Sequence, residues 1–214
     1  MYSKLELWDV MLCVLVLANF LSNLIDFCEK KLISQRHRLL HSRRDCLAAD
    51  CAIGMAVSVN RATPADAAAL MGMIRELADF EKMPEGVKID EVRLAADLER
   101  NAVGGFILRD SDEPAAMLLF YFAYSTWEGQ YIHMEDLYVR PAFRRKGYGR
   151  MLWRELGVLA KEMGCRRLQW NVLDWNSNAL AFYEKMPSQN LTKKEGWLLY
   201  RLDVDGISAL AELK

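Results

Sequence analysis

The stretch "RPAFRRKGYGRMLWREL", residues 140–156, places three cations, Arg144, Arg145 and Lys146, directly before Gly147 and Gly149. An amphipathic run follows, with Leu152, Leu156, Leu159 and Ala160 on one helical stripe. The spacing predicts a helix to about residue 163. A helix start leaves four N–H groups unpaired and carries partial positive charge. Glycine lets an anion approach those amides closely. A dinucleotide-binding fingerprint would need a third glycine where Leu152 stands, and strands upstream that are not hairpin-like. A P-loop would need Gly-Lys-Ser/Thr, which the stretch lacks. A nucleic-acid patch would be larger and would interleave aromatic platforms with the charges. The pattern that fits is R-x-x-G-x-G, Arg144-x-x-Gly147-x-Gly149, as a backbone cradle for a pyrophosphate. A plain glycine turn is the bland alternative.

Working outward, "QYIHMEDLYV" (130–139) reads as the strand before this loop. "GFILRD" (105–110) and "AAMLLFYFAY" (115–124) read as a strand pair turned by "SDEP". Val57 and Val59 alternate as a short first strand. Thr63 is expected to cap a helix, with Pro64 at its first position and Asp66 three residues after the cap. Leu70, Ile74, Leu77 and Phe80 line that helix to about 82–84, and a second helix is expected near 91–100. Downstream, "RRLQWNVL" (166–173) reads as a strand and "NSNALAFYEK" (176–185) as a short helix. "WLLYRLD" (197–203) reads as a late strand, before a closing helix over 206–213. The order β-α-α-β-β-β-α-β-α-β predicts an α/β (α+β) fold with a mixed central sheet flanked by helices.

The chain has 214 residues, 52% apolar and 27% charged, which suits one globular domain plus an extension. A net charge of −1 argues against a dedicated nucleic-acid binder. Of five cysteines, Cys13, Cys28, Cys46 and Cys51 precede the body and only Cys165 lies within it. That pattern suggests a reducing, cytoplasmic setting. Residues 10–25, "VMLCVLVLANFLSNLI", form an apolar run bracketed by Asp9 and Asp26. It is shorter than the roughly 20 residues of a spanning helix. If it did span, Lys30, Lys31, Arg36, Arg38, Arg43 and Arg44 would hold the following domain on the cytoplasmic side. A signal peptide would carry its basic residues before the run, where only Lys4 stands. His37, His41, Cys46 and Cys51 fit no common zinc spacing, and no metal is expected. Residues 1–54 therefore read as an extension, either a hydrophobic anchor or an alternative start, and residues 55–214 as the functional domain.

Strand, R-x-x-G-x-G, helix, strand and "WNSNALAFYEK" in this order resemble the core of the GNAT superfamily of N-acetyltransferases, which use acetyl-CoA. Within it the chain is most similar to the diamine acetyltransferases. The resemblance rests on "RELADFEKMPEGVKI" (75–89), "FYFAYSTWEGQYIHMEDLYVRPAFRRKGYG" (120–149), "VLDWNSNALAFYEK" (172–185) and "KKEGWLLYRLD" (193–203). Ser125-Thr126-Trp127 stands where the polyamine-acetylating branch commonly has Asp-Pro-Trp. With "VLDWN", it looks more like the branch that prefers thialysine to spermidine.

The resemblance implies roles. The backbone of Arg145, Lys146, Gly147, Tyr148, Gly149 and Arg150 would hold the pyrophosphate of acetyl-CoA. Leu137, Tyr138 and Val139 would offer a strand edge to the pantetheine arm, as an added strand would be paired. An N–H near Leu137 would face the thioester oxygen. Asn176 would touch the cofactor, although an N-cap is an equally natural role. Tyr183 matches the family's general acid, against a bland reading as a packing tyrosine. Glu135 is the candidate base, acting through water, since the amine must lose a proton. Strict alternation would put His133, Glu135 and Leu137 on one face and Asp136 on the other. Phe80, Glu81, Glu135 and Trp127 are the expected substrate contacts, with Trp127 and Trp197 otherwise core or channel wall. Glu184-Lys185-Met186-Pro187-Ser188 departs from the basic residues and glycine usual after the tyrosine, which makes the cofactor edge less positive.

The reaction expected is direct transfer to a small primary amine in a ternary complex, with a homodimer implied by resemblance. Two alternatives stay open: a membrane-tethered acetyl-CoA-binding module without turnover, and a protein lysine acetyltransferase.

Overall fold

The computed structural model describes residues 57–213. The apolar run 10–25, the basic stretch behind it and the His37/His41/Cys46/Cys51 group lie outside the described residues. Five strands form one sheet in the order β1-β2-β3-β4-β5: Val57–Arg61, Gly104–Asp110, Glu113–Ser125, Gly129–Val139 and Leu168–Trp170. The first four run antiparallel in sequence order, and β4 pairs with β5 in parallel. This is the expected mixed sheet. Ser111 and Asp112, both at positive φ, make the β2–β3 turn.

The sheet is covered on both faces. On one side lie α1 (Ala67–Phe80) and α2 (Glu91–Glu99). The chain reaches α1 through Pro64–Asp66, where Thr63 donates through both N and Oγ1 to Asp66 Oδ2, at 2.8 and 2.7 Å. That fixes the first turn, and Arg109 of β2 ties Asp66 to the sheet at 2.6 Å. Leu70, Met71 and Met73 of α1 and Leu94 and Leu98 of α2 pack on Ile107, Met117, Leu119 and Tyr138. On the other side, α3 (Tyr148–Glu162) lays its stripe Tyr148, Leu152, Leu156 and Ala160 on Phe106, Leu108, Leu118, Phe120, Ile132 and Met134. Residues 115–120 of β3 are buried without a break, because helices cover both sheet faces. That explains a continuous apolar run where a half-exposed strand would alternate.

The C-terminal region departs from expectation. The strand expected over 166–173 shortens to Leu168–Trp170, and α4 spans Ser177–Tyr183. A further helix, α5 (Leu191–Glu195), ends at Gly196 with φ +77°. The strand expected over 197–203 is not formed. Trp197, Leu198, Leu199, Tyr200 and Leu202 are exposed, ahead of α6 (Val204–Ala211). A strand needs a partner edge, and β5 offers only three residues before it ends at Trp170. No helix among the described residues is long and apolar enough to cross a membrane.

Candidate active site

The site begins where the sheet opens. β4 and β5 pair only through Ile132, His133 and Met134, opposite Leu168, Gln169 and Trp170. Beyond Met134 the two strands part, and the β4 edge over 135–139 faces no strand on that side. Leu137 and Val139 turn their side chains toward the α3 core, and Tyr138 is buried in the core under α1. A ligand on this edge would meet their backbone.

Below the open edge lies the glycine loop. Gly147 is the N-cap of α3 at φ +87°, a left-handed conformation that glycine adopts without a Cβ penalty. Gly149 needs no special conformation, and a Cβ there would meet only Val139 Cγ2, at 3.7 Å. The fold's own packing does not require that glycine, so its bareness keeps the backbone open to an outside group. An open groove of about 400 Å³ lies here, lined by Val139, Arg144, Arg145, Gly147, Gly149 and Arg150 among others. It adjoins a second concavity of about 350 Å³ lined by Arg150, Trp153, Arg154, Phe182, Lys185 and Met186. A cationic, bare-backboned groove at a helix start fits a phosphate-bearing cofactor.

The cations of the loop are not equivalent. Arg144 folds back on β4, donating to the Val139 carbonyl at 3.0 Å, with its guanidinium 5.7 Å from the Phe80 ring. Lys146 is ion-paired with Asp110 at 2.9 Å. Arg145 and Arg150 are exposed, and their side chains have no partner among the described residues. Arg145 is held at φ +66°.

The carboxylates correct the simple alternation. Asp136 pairs with Leu119 and Met134 with Phe120, so Glu135 is the extra residue of a β-bulge. The bulge moves the pattern by one. Met134 and Leu137 share the α3 face, while Asp136 joins Tyr138 on the face under α1. Glu135 is left exposed, 4.0 Å from His133 Nε2. Burial, then the charges of Glu135 and Glu81, push the Asp136 carboxyl up to about 7. No donor among the described residues reaches it. Burial also raises Glu81, which follows Phe80 at the end of α1. Burial keeps His133 below the usual imidazole range, only partly opposed by Glu135, and its ring stacks on Tyr121 at 4.9 Å. Alternation sets Asp136 opposite Leu137, as the structure does, but it has no place for the bulge that takes Glu135 off the Leu137 face and leaves it exposed.

Tyr183 lies between Trp153 and Trp170, at ring distances of 5.6 and 5.1 Å. Burial pushes its phenol up to about 12, and its hydroxyl has no partner among the described residues. It is a packing tyrosine, held against Trp170 at the end of β5, whose phenol stays protonated. Asn176 caps α4, its side-chain oxygen accepting from Ala179 N at 3.2 Å. Phe80 meets Trp175 at 5.8 Å, an aromatic contact the sequence did not single out. Trp127 is 85% exposed in the β3–β4 hairpin, where Ser125 Oγ accepts from its amide at 3.2 Å. At about 3.3 Å per residue it stands roughly 20 Å along the strand from Asp136. The structure does not bring it to the carboxylates of its own chain. Burial raises the Cys165 thiol, which packs against the α3 core.

With this geometry in view, comparison with known proteins is decisive. The profile of the Acetyltransferase (GNAT) family matches residues 71–186, more than half the chain. The thialysine N-epsilon-acetyltransferase of Caenorhabditis elegans is 53% identical over 150 residues, covering 70% of this chain and 94% of that protein. The thialysine N-epsilon-acetyltransferase of Bos taurus is 35% identical over 165 residues, covering 72% and 97%. Among solved structures, an integron cassette protein from the mobile metagenome of V. cholerae shares the fold, with TM-score 0.60 at 23% identity, covering 75% of this chain and 100% of that one. An aminoglycoside N-acetyltransferase in complex with CoA does so at TM-score 0.57 and 14% identity, covering 71% and 98%. The open strand edge, the bare-backboned loop and these relatives lead to one conclusion: the chain belongs to the GNAT family and is an N-acetyltransferase.

Proposed function

We propose that this enzyme acetylates the primary amine of a small molecule, taking thialysine-like amino acids ahead of polyamines such as spermidine. Transfer is direct, within a ternary complex with acetyl-CoA. The observation that carries the reading is Asp136: a half-buried carboxylate with no hydrogen-bond donor among the described residues, adjacent in sequence to Leu137 on the open edge. The proton acceptor and the thioester slot are then neighbours.

An amine of pKa about 10 arrives as an ammonium. Glu81, Glu135 and Asp136 draw it in, with Phe80 beside them. Asp136 takes the proton, and the exposed Glu135 passes it to solvent through water. An acceptor titrating near 7 is matched to work at neutral pH. The N–H near Leu137 faces the oxygen where negative charge develops, a contact worth a few kcal/mol in comparable sites. Tyr183 donates to the departing sulfur. Its raised pKa keeps the phenol protonated until that charge appears. Leu137, Tyr138 and Val139 hold the pantetheine arm through backbone, the amides of 145–150 hold the pyrophosphate, and Asn176 borders the slot. The groove lined by Arg150, Phe182 and Lys185 takes the nucleotide end. Cys165, half-buried with a raised thiol, is unsuited as a relay nucleophile, which supports direct transfer. Ser125-Thr126-Trp127 carries no acid for a polycation, and the relatives named for thialysine point the same way. The exposed apolar side chains of Trp197, Leu198, Leu199, Tyr200 and Leu202 support a homodimer, in which a second copy covers them.

The test follows thiol release from acetyl-CoA with thialysine, lysine, spermidine and putrescine, using the full chain. Thialysine turnover exceeding that with spermidine, and reduced in Tyr183→Phe and Asp136→Asn, is the expected result. Acetyl-CoA binding without turnover of any amine would refute it and favour a binding module.

A further inference from the structure

Asp110 ends β2, 4% exposed, on the sheet face that α3 covers. Its Oδ2 accepts from Lys146 Nζ at 2.9 Å and from the Tyr148 hydroxyl at 2.5 Å. The two long-range donors flank Gly147, the left-handed N-cap of α3. Tyr148 is itself buried, so its ring is fixed in the core while its hydroxyl reaches the carboxylate. One oxygen, from a strand 36 to 38 residues earlier, therefore grips the loop on both sides of its most conformationally special residue.

We propose that Asp110 is a positioning residue that latches the phosphate-binding loop from beneath, and that Lys146 serves this latch and not the pyrophosphate. The inference rests on the cofactor reading above. The loop must present several amides at once to one anion. Gly147 gives it conformational freedom, and Arg145 at φ +66° is in a region that non-glycine residues avoid. Left alone, such a segment samples many arrangements, and binding would bear the cost of ordering it. Pinning residues 146 and 148 removes most of that freedom before the ligand arrives. The same contact neutralises Lys146, so the cations left for phosphate are Arg145 and Arg150. Lys146 would otherwise be assigned to the ligand on its position in R-x-x-G-x-G.

The full-length chain tests this through four proteins: wild type, Asp110→Asn, Lys146→Met and the double variant. Acetyl-CoA affinity and steady-state kinetics are measured for each. Asp110→Asn is expected to weaken acetyl-CoA binding about tenfold, and to raise the KM for acetyl-CoA more than it lowers kcat. The double variant should bind no worse than the weaker single, because both changes break one joint. Lys146→Arg, which keeps the charge and the donor, should restore most of the loss in Lys146→Met. Amide exchange over 145–149 should speed up in Asp110→Asn without any ligand present. Tyr148→Phe, which keeps the ring in the core, should do the same to a smaller degree and covers the case in which Asp110→Asn unfolds. Equal or tighter binding by Asp110→Asn would overturn the proposal, since a freed Lys146 would then be a phosphate ligand. Multiplying losses in the double variant would overturn it as well. A wild type that does not bind acetyl-CoA would refute the cofactor reading instead, while the exchange measurement would still decide the latch.

Discussion

Replacing Asp136 by Asn separates a half-buried, desolvated base from an ordinary surface acid. The Asp136 carboxyl is raised from 3.8 to about 7, by burial first and then by the charges of Glu135 and Glu81. Three units at 1.36 kcal/mol each make the ionised form about 4 kcal/mol costlier in the folded protein than in the unfolded chain. Partial hydration makes that a ceiling. The sign follows from proton counting. Between the unfolded value near 4 and the folded value near 7, the native state holds a proton that the unfolded state has lost, so stability falls as pH rises through this window. The full cost is present only above pH 7. Asn carries no such cost. Asp136→Asn should therefore gain on wild type by roughly 2.5 kcal/mol between pH 5 and pH 8, on linkage grounds. Urea unfolding of both proteins at the two pH values measures the gap, and matching m-values would show that the unfolded states are comparable. In kinetics, wild-type kcat/KM should rise with a pKa near 7, and the Asn variant should lose both rate and limb. A stability gap that is the same at pH 5 and pH 8 would refute the desolvated-carboxylate argument, whatever the activity of the variant.

Tyr183→Phe keeps the ring between Trp153 and Trp170 and removes only the hydroxyl. Its kcat should fall about 100-fold, the low end for general acid catalysis, with little change in melting temperature. Gly149→Ala adds a methyl that meets only Val139 Cγ2, at 3.7 Å. Melting should stay within a few degrees of wild type, while acetyl-CoA titration shows roughly tenfold weaker binding. Asp66→Ala breaks the Thr63 turn and the Arg109 pair, and should cost about 2 kcal/mol in urea unfolding at pH 7. Burial pushes the Asp66 carboxyl up, but its bonds from Arg109 and Thr63 outweigh that and hold it below the usual range. Its contribution is therefore present above the unfolded pKa and lost as pH falls through the folded one, so the deficit of the Ala variant should shrink in acid.

Much of this protein was legible in its sequence, because those parts are local. Thr63-Pro64-Ala65-Asp66 specifies its own turn, and Leu152, Leu156 and Ala160 specify a helix face at 3.6 residues per turn. The unbroken apolar run 115–120 specifies a strand covered on both sides. Gly147 and Gly149 mark the loop proposed to cradle the pyrophosphate, because bare backbone lets an anion reach a helix start. Other features depend on which strand lies beside which. The bulge at Glu135 exists in the pairing of β3 with β4, so no pattern within "HMEDL" reveals that Met134, and not Glu135, shares the face of Leu137. The late strand over 197–203 had the right composition, but a strand requires a free edge in register, and β5 stops at Trp170. The fate of Lys146 is the sharpest case. Its position in R-x-x-G-x-G points to phosphate, yet Asp110, distant in sequence, holds its charge at 2.9 Å. Charge is written in the sequence, but its partner is chosen by the fold, because Coulomb energy depends on separation and surroundings that only tertiary packing sets.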